Sequence, residues 1–329
     1  VSSARIVCLS RAAAPITHMA GTAGNESLIL RTPVQQPDGT DRQVPAISGN
    51  HMRNRTLRTP GAQWLVDEYG LRGFCTLTQL NFLFHGGSLT DSTGRENTAL
   101  IAELHECSPL FKLLGGCRPE QMLGGSARVS HAWVCCEQSR TPVGAILGDE
   151  ALRELPPLLP AEWFVRKYQN TTSGVREKNP ALAESAPDFA ESESDPRMIY
   201  TGECVMTGAY FAHDYTLMDP TVLDIGAALW SLDLWQRSGG VVGGMGAKGH
   251  GKLFTRVLIE GCDVPPQECV TAYLRHARGQ KDRFRAWLEA AFGAPKEKKP
   301  AKAKAPPKGK AKPAPEPAPG AEPTGDLFQ

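Results

Sequence analysis

Short β-branched stretches and longer helical repeats alternate along this chain. Arg5 to Ser10 alternates and is β-branched, which predicts a first strand. Gly49 permits a tight turn and Asn50 is a good N-cap for a following helix. On a helical projection His51, Arg55 and Arg58 share one side, Met52, Thr56 and Leu57 the other, and Arg53 lies between. Pro60-Gly61 is expected to break that helix, with Gln63 to Tyr69 adding a turn or two. Gln79 to Phe84 reads as a strand and Asn97 to Glu106 as a helix. Ala127, Val129, His131 and Trp133 alternate with Ser126, Arg128 and Ser130, the pattern of a half-buried strand. Ile199 to Thr216 reads as one strand with a bulge at Gly208. Val222, Ile225, Leu229, Leu232 and Trp235 fall at helical spacing, and Leu253 to Glu260 reads as a strand. Pro266 to Phe292 is expected to be helical, with Phe284, Trp287, Leu288 and Ala291 on one side.

Between that helix and strand lies the densest glycine segment of the chain. Seven of the thirteen residues from Gly239 to Gly251 are glycine, and Lys248, His250 and Lys252 stand among them. Without Cβ atoms, such a run takes positive φ and lets a ligand approach its amides. The combination points to phosphates or a sugar-phosphate backbone. Gly244, Gly246 and Gly249 fit the dinucleotide pattern G-x-G-x-x-G, and Gly246 to Lys252 fits part of a P-loop. Both motifs need a strand before the glycines and a helix after them, the reverse of what this sequence offers. Leu253 also stands where a P-loop has the Ser or Thr that ligates magnesium. A phosphate-loop nucleotide-binding protein is therefore the least favoured alternative.

Composition narrows the classes. The formal net charge is +1, but the segment from Pro295 to Gln329 carries +4, leaving −3 over residues 1–294. A uniformly basic nucleic-acid binder is excluded, and an RNA surface has to be a local stripe. The nine cysteines are odd in number and contain no Cys-x-x-Cys, so reduced thiols in the core are favoured over a zinc site. His105, Cys107 and Cys117 come nearest to a ligand set. No apolar run approaches 18 residues, and neither a membrane span nor a secretory signal is expected. Trp163 to Arg197 is polar and turn-rich, which predicts an insertion or exposed hairpin. Residues 295–329 are Lys/Ala/Pro-rich and expected to be disordered.

Helix, paired glycines, G-x-G and strand in succession resemble the glycine-rich loop of the RAMP superfamily, the RNA-binding proteins of CRISPR systems. Three further segments are similar to that family. Val44-Pro-Ala-Ile-Ser-Gly-Asn-His-Met-Arg-Asn-Arg-Thr-Leu-Arg58 resembles its strand that turns at Gly into a helix facing RNA. Ser108 to Gly116 followed by Gly125 to Trp133 is similar to its L-F-G segment and next strand. Glu203, Val205, Gly208 and Phe211 match its E-x-V-x-x-G-x-x-F element.

The resemblance implies an α+β fold: a ferredoxin-like, RRM-type palm over residues 1–294, with fingers inserted at about 71–125 and a thumb at about 163–198. It implies a cytoplasmic backbone subunit of a class 1 CRISPR effector, of the type IV branch. Several copies would stack along one crRNA beside other effector subunits and present the guide to target nucleic acid. The expected guide contacts are Asn50, Arg53, Arg55, Arg58, Gly244, Gly246, Lys248, Gly249 and Lys252, with Arg166, Lys167 and Arg176 on the thumb. This role is binding rather than catalysis, without cofactor or metal. The second reading is a metal-dependent ribonuclease of the same fold. Some relatives cut target RNA with an aspartate in the loop after the first strand; here His18 to Leu30 holds no Asp, and Glu26 is its only carboxylate.

Overall fold

The computed structural model describes residues 2–90, 97–171 and 199–293. Arg176, the tail from residue 294 and most of the expected thumb lie outside them. The strands, in chain order, are β1 (Ser3–Ala12), β2 (Met19–Ala23), β3 (Glu26–Ile29), β4 (Arg31–Gln35), β5 (Asp41–Ile47), β6 (Gly116–Arg118) and β7 (Gln121–Leu123). They continue with β8 (Ala127–Val129), β9 (Ala132–Val134), β10 (Val165–Thr171), β11 (Ile199–Val205), β12 (Tyr210–Met218) and β13 (Leu253–Glu260).

Strand β1 is the axis of a seven-stranded antiparallel sheet ordered β13-β1-β12-β9-β5-β4, with β8 also on β12. The helix Val222–Arg237 carries the chain from β12 to β13, which run parallel with β1 between them. On the other half, the chain from β1 passes through β2 to β5 before the helical stretch Gly49–Glu68, which leads on to β8 and β9 on the side of β12 away from β1. Two interleaved β-α-β units of this kind make the ferredoxin-like order. Both helices occupy one face and touch each other. Beneath them Ala4, Ile6 and Cys8 of β1 are buried with Leu57, Tyr215, Ile225 and Leu232. Val7, on the opposite face, is covered by the helix Arg140–Leu147 through Val143 and Ile146. The fold is thus α+β, as expected.

A second sheet, ordered β10-β11-β3-β2, stands beside the first. Its β11 pairs in parallel with β3, placing Thr201 against Glu26 across a long sequence interval. Three helices within 71–125, Leu77–His85, Thr98–Cys107 and Pro109–Leu114, join the main core: Phe82, Leu104 and Phe111 are buried with Phe284 and Trp287.

Several local expectations give way to stronger signals. Leu77–His85 is a helix rather than a strand, because Thr76 and Gln79 form a reciprocal capping box and Gly86 closes the end at φ 91°. Ser48, not Asn50, caps the helix at Gly49, accepting from the His51 amide at 3.3 Å. Pro60-Gly61 does not break the helix. A π-helical turn over Arg53–Arg58 runs directly into the helix Thr59–Glu68, with the Thr59 amide donating to the Asn54 carbonyl, and the chain stays helical through Pro60. The expected strand through Trp133 is split at Ser130-His131, so Ala132 and Val134 are the buried positions. Ile199–Thr216 is two strands in different sheets, and Gly208, at φ 88°, is the turn between them. The predicted helix, glycine loop and strand from Val222 to Glu260 are where expected.

The helix Val222–Arg237 approaches Pro266–Gly279 so closely at Gly226 that a Cβ there would overlap the Cys269 carbonyl oxygen. Gly226→Ala therefore destabilises the fold by about 1–3 kcal/mol despite alanine's better helix propensity. A lowered midpoint in thermal or denaturant unfolding checks this.

Candidate nucleic-acid interface

The glycine loop is bound tightly to the chain that leaves β1. Gly239 and Gly240, at φ 104° and 62°, turn the backbone out of the helix, and the Trp235 indole donates to the Val241 carbonyl at 3.1 Å. Gly244 donates to the Thr17 carbonyl at 2.6 Å, and Gly251 to the Pro15 carbonyl at 2.8 Å. A Cβ on Gly243 would overlap the Thr17 carbonyl, and one on Gly251 the Val242 carbonyl. These glycines are required because backbone meets backbone. Met245 closes the turn in the left-handed region at φ 60°, an uncommon state for a residue with a side chain.

Two histidines fasten the other side. His51 Nε2 accepts from the Gly243 amide at 2.7 Å, and His18 Nε2 accepts from the Ser48 amide at 3.2 Å. A backbone N–H only donates, so both nitrogens carry lone pairs and both rings are neutral when bound. The rings lie 4.7 Å apart. Burial, then His18 and Arg55, lowers the His51 pKa to about 4; burial, then His131, lowers that of His18. His250 Nδ1 meets the Thr17 hydroxyl at 2.7 Å, and the Tyr168 ring stands edge-on to His250 at 5.2 Å. Sequence reasoning missed the roles of His18, His51 and Tyr168, which are far from the loop in sequence; the position of His250 among the glycines was the one local signal.

The expected contacts separate into three groups. The first faces solvent: Asn50, Arg55, Gly246, Lys248, Gly249 and Lys252 are exposed. Among the described residues, Arg55, Lys248 and Lys252 have no ion pair, and Lys252 lies 5.4 Å from the Phe254 ring centre. The amides of Met245, Gly246 and Ala247 have no hydrogen-bond partner there, whereas Gly244 and Gly249 spend theirs on Thr17 and Gly246. The second group is internal. Arg58 is buried, donating to the carbonyls of Phe82 at 3.0 Å and Gly115 at 2.8 Å, 5.8 Å from the Phe111 ring centre. Burial lowers its pKa to about 10, and its donors serve helix ends rather than a ligand, which corrects its assignment as a guide contact. Arg53 is half-buried, with its Nε unpartnered among the described residues.

The third group lies on the second sheet. Arg166 and Lys167 line an open cavity of about 670 Å3 with Arg31, Arg42, Glu162 and Glu203. Arg31 grips Glu203 through two bonds, of 2.7 and 2.9 Å, and holds its carboxyl below the ordinary carboxylate range. Lys167 pairs with Glu26 at 2.6 Å, which raises the lysine pKa. Next to Lys167 on β10, Tyr168 packs over Gly202 and reaches the loop through His250. No cluster of three or more His, Cys, Asp or Glu positioned for a metal occurs among the described residues, and the nine cysteines are free. No described helix is long and apolar enough to cross a membrane.

No protein-family profile matches this chain, and no curated protein matches it. Its fold is similar to that of a chain in a solved type IV-B CRISPR complex. That likeness has a TM-score of 0.52 and 17% sequence identity, over 77% of this chain and 90% of the other.

Acid loosens the histidine fastening. The folded pKa of His51, about 4, lies below the ordinary 6.5, so the unfolded chain binds more protons between those values. The stability this group confers is complete above about pH 6.5 and is lost as pH falls toward about 4. His213, buried and also lowered to about 4, acts in the same direction. In melting curves across that window, His51→Gln keeps an acceptor without titrating and loses less stability on acidification than the parent protein.

Proposed function

We propose that this chain is a guide-RNA-binding backbone subunit of a CRISPR effector complex. The observation that carries this reading is the loop's solvent face. The amides of Met245, Gly246 and Ala247, unpartnered among the described residues, lie beside the exposed ammonium of Lys248, and Lys252 and Arg55 are exposed with them. Amides with adjacent cations, on a backbone that admits close approach, bind phosphodiesters without reading bases. Bases left unread stay available to pair with target nucleic acid. The likeness in fold to a chain of a type IV-B CRISPR complex supports the same reading and favours the type IV branch. Further copies of this chain and other effector subunits are the expected partners along the RNA, in the cytoplasm.

The role is binding. In the alternative reading as a ribonuclease, Glu26 would carry the chemistry, but its carboxylate is engaged by Lys167, and nothing in the site favours that reading. Few contacts per copy suffice when copies repeat along one strand, because each adds its own salt-dependent term.

Fluorescence anisotropy with a single-stranded RNA, repeated over a salt series, tests the interface. Arg55→Glu with Lys248→Glu weakens binding and lowers the log-log salt slope by about 0.7 for each phosphate that the variant no longer neutralises. An unchanged slope rejects the loop face as the RNA surface. Arg58→Met instead leaves helix-end carbonyls unpaired, costing about 2–4 kcal/mol of stability, with no change in slope for the folded fraction.

A further inference from the structure

The edges of the seven-stranded sheet are unequal. On one side β4 contains Pro33, which has no N–H to give a further strand. On the other, β13 presents Phe254 at 60% exposure, Val257 at 43% and Leu258 at 62%, and no described strand pairs with its outer side. Neither lysine nor proline guards Val257 to Ile259, the usual protection of an exposed edge.

Backbone direction along β13 is fixed by its partners. Ala13 donates to the Lys252 carbonyl at 2.8 Å, so the backbone groups of 252, 254, 256, 258 and 260 face β1. Those of Leu253, Thr255, Val257 and Ile259 face outward. The first two amides are already taken: Leu253 donates to the Gly240 carbonyl at 3.0 Å, and Thr255 to the Gln236 side chain at 3.0 Å. Val257 and Ile259 remain with no partner for their outward groups among the described residues.

We propose that β13 pairs antiparallel with β13 of a second copy, about a two-fold axis through Leu258. This register is the one that uses the free groups. Val257 of each copy then exchanges both backbone hydrogen bonds with Ile259 of the other, and Leu258 faces its own copy in the intervening non-bonded pair. Along the same face, Arg256 comes opposite Glu260 of the other copy, whose carboxylate also holds Arg5 of its own chain at 3.0 Å, and this complementary pair occurs twice. A register one residue away sets Arg256 against Leu258 and Phe254 against Glu260, and loses the charge match. The second copy is therefore the occupant that the edge fits through backbone, apolar and charged positions alike. The pairing needs no RNA, so it stands or falls separately from the guide-binding reading.

The test uses the full chain freed of nucleic acid by nuclease. Sedimentation should show a dimer, and Leu258→Lys, which sets like charges face to face, should weaken it by more than about tenfold while leaving the thermal midpoint of the monomer unchanged. In the proposed register the two Leu258 Cα atoms stand about 4.5 Å apart, within the disulfide range of about 4.4–6.8 Å. Leu258→Cys should accordingly form, under mild oxidation, a 258–258 link between copies that peptide mapping identifies. A parent protein that sediments as a monomer at every concentration overturns the proposal. So does a cross-link from residue 258 to any other segment.

Discussion

The architecture depends on a contact between two stretches of bare backbone. Gly243 and Gly251 lie against carbonyls where no Cβ fits, and the amides of Gly244 and Gly251 bond to Thr17 and Pro15 just beyond β1. Each such bond contributes only about 0.5–1.5 kcal/mol net, so the effect is more geometric than energetic. It ties the end of the Val222–Arg237 helix to the exit of the central strand. It also fixes the start of β2, and with it the second sheet beside the first. His51 adds a third attachment from the neighbouring helix, through the Gly243 amide. These contacts commit the loop's inner face and leave its outer face toward solvent.

That division explains why the three arginines after Gly49 differ. A helical projection sets Arg55 and Arg58 on the same side, yet Arg55 is exposed and Arg58 is buried among carbonyls at the ends of two other helices. The π-helical turn over Arg53–Arg58 shifts the phase on which the projection relied, and partners at Phe82 and Gly115 are invisible to local pattern. Glycines divide similarly. Spacing marked Gly244, Gly246 and Gly249 as one motif, but only Gly246 keeps its amide free within the described fold.

Legibility followed the range of the deciding interaction. The helix, loop and strand from Val222 to Glu260 were readable because period, capping and glycine density agree locally. So was the ferredoxin-like class, through the succession of motifs. In Leu77–His85 the apolar run points to a strand and the Thr-x-x-Gln signature to a capped helix, and the cap decides. The second sheet was beyond local reading, since it depends on β11 meeting β3 in parallel across an interval that no short pattern records.

The unpaired edge and the glycine loop share one strand, and their arrangement keeps them apart. The chain enters β13 from Lys252, and the next two outward amides are closed off by Gly240 and Gln236, both supplied from the helix side of the loop. A second strand can therefore pair only from Val257 onward. It cannot advance over the Met245–Lys248 face, where the free amides and the lysine lie. A two-fold contact also exhausts itself after one partner, whereas stacking along RNA requires a heterologous surface that is never used up. The two assemblies make different demands, and in this fold they fall at opposite ends of β13. A dimer joined at Leu258 would leave both loop faces open to a strand of nucleic acid.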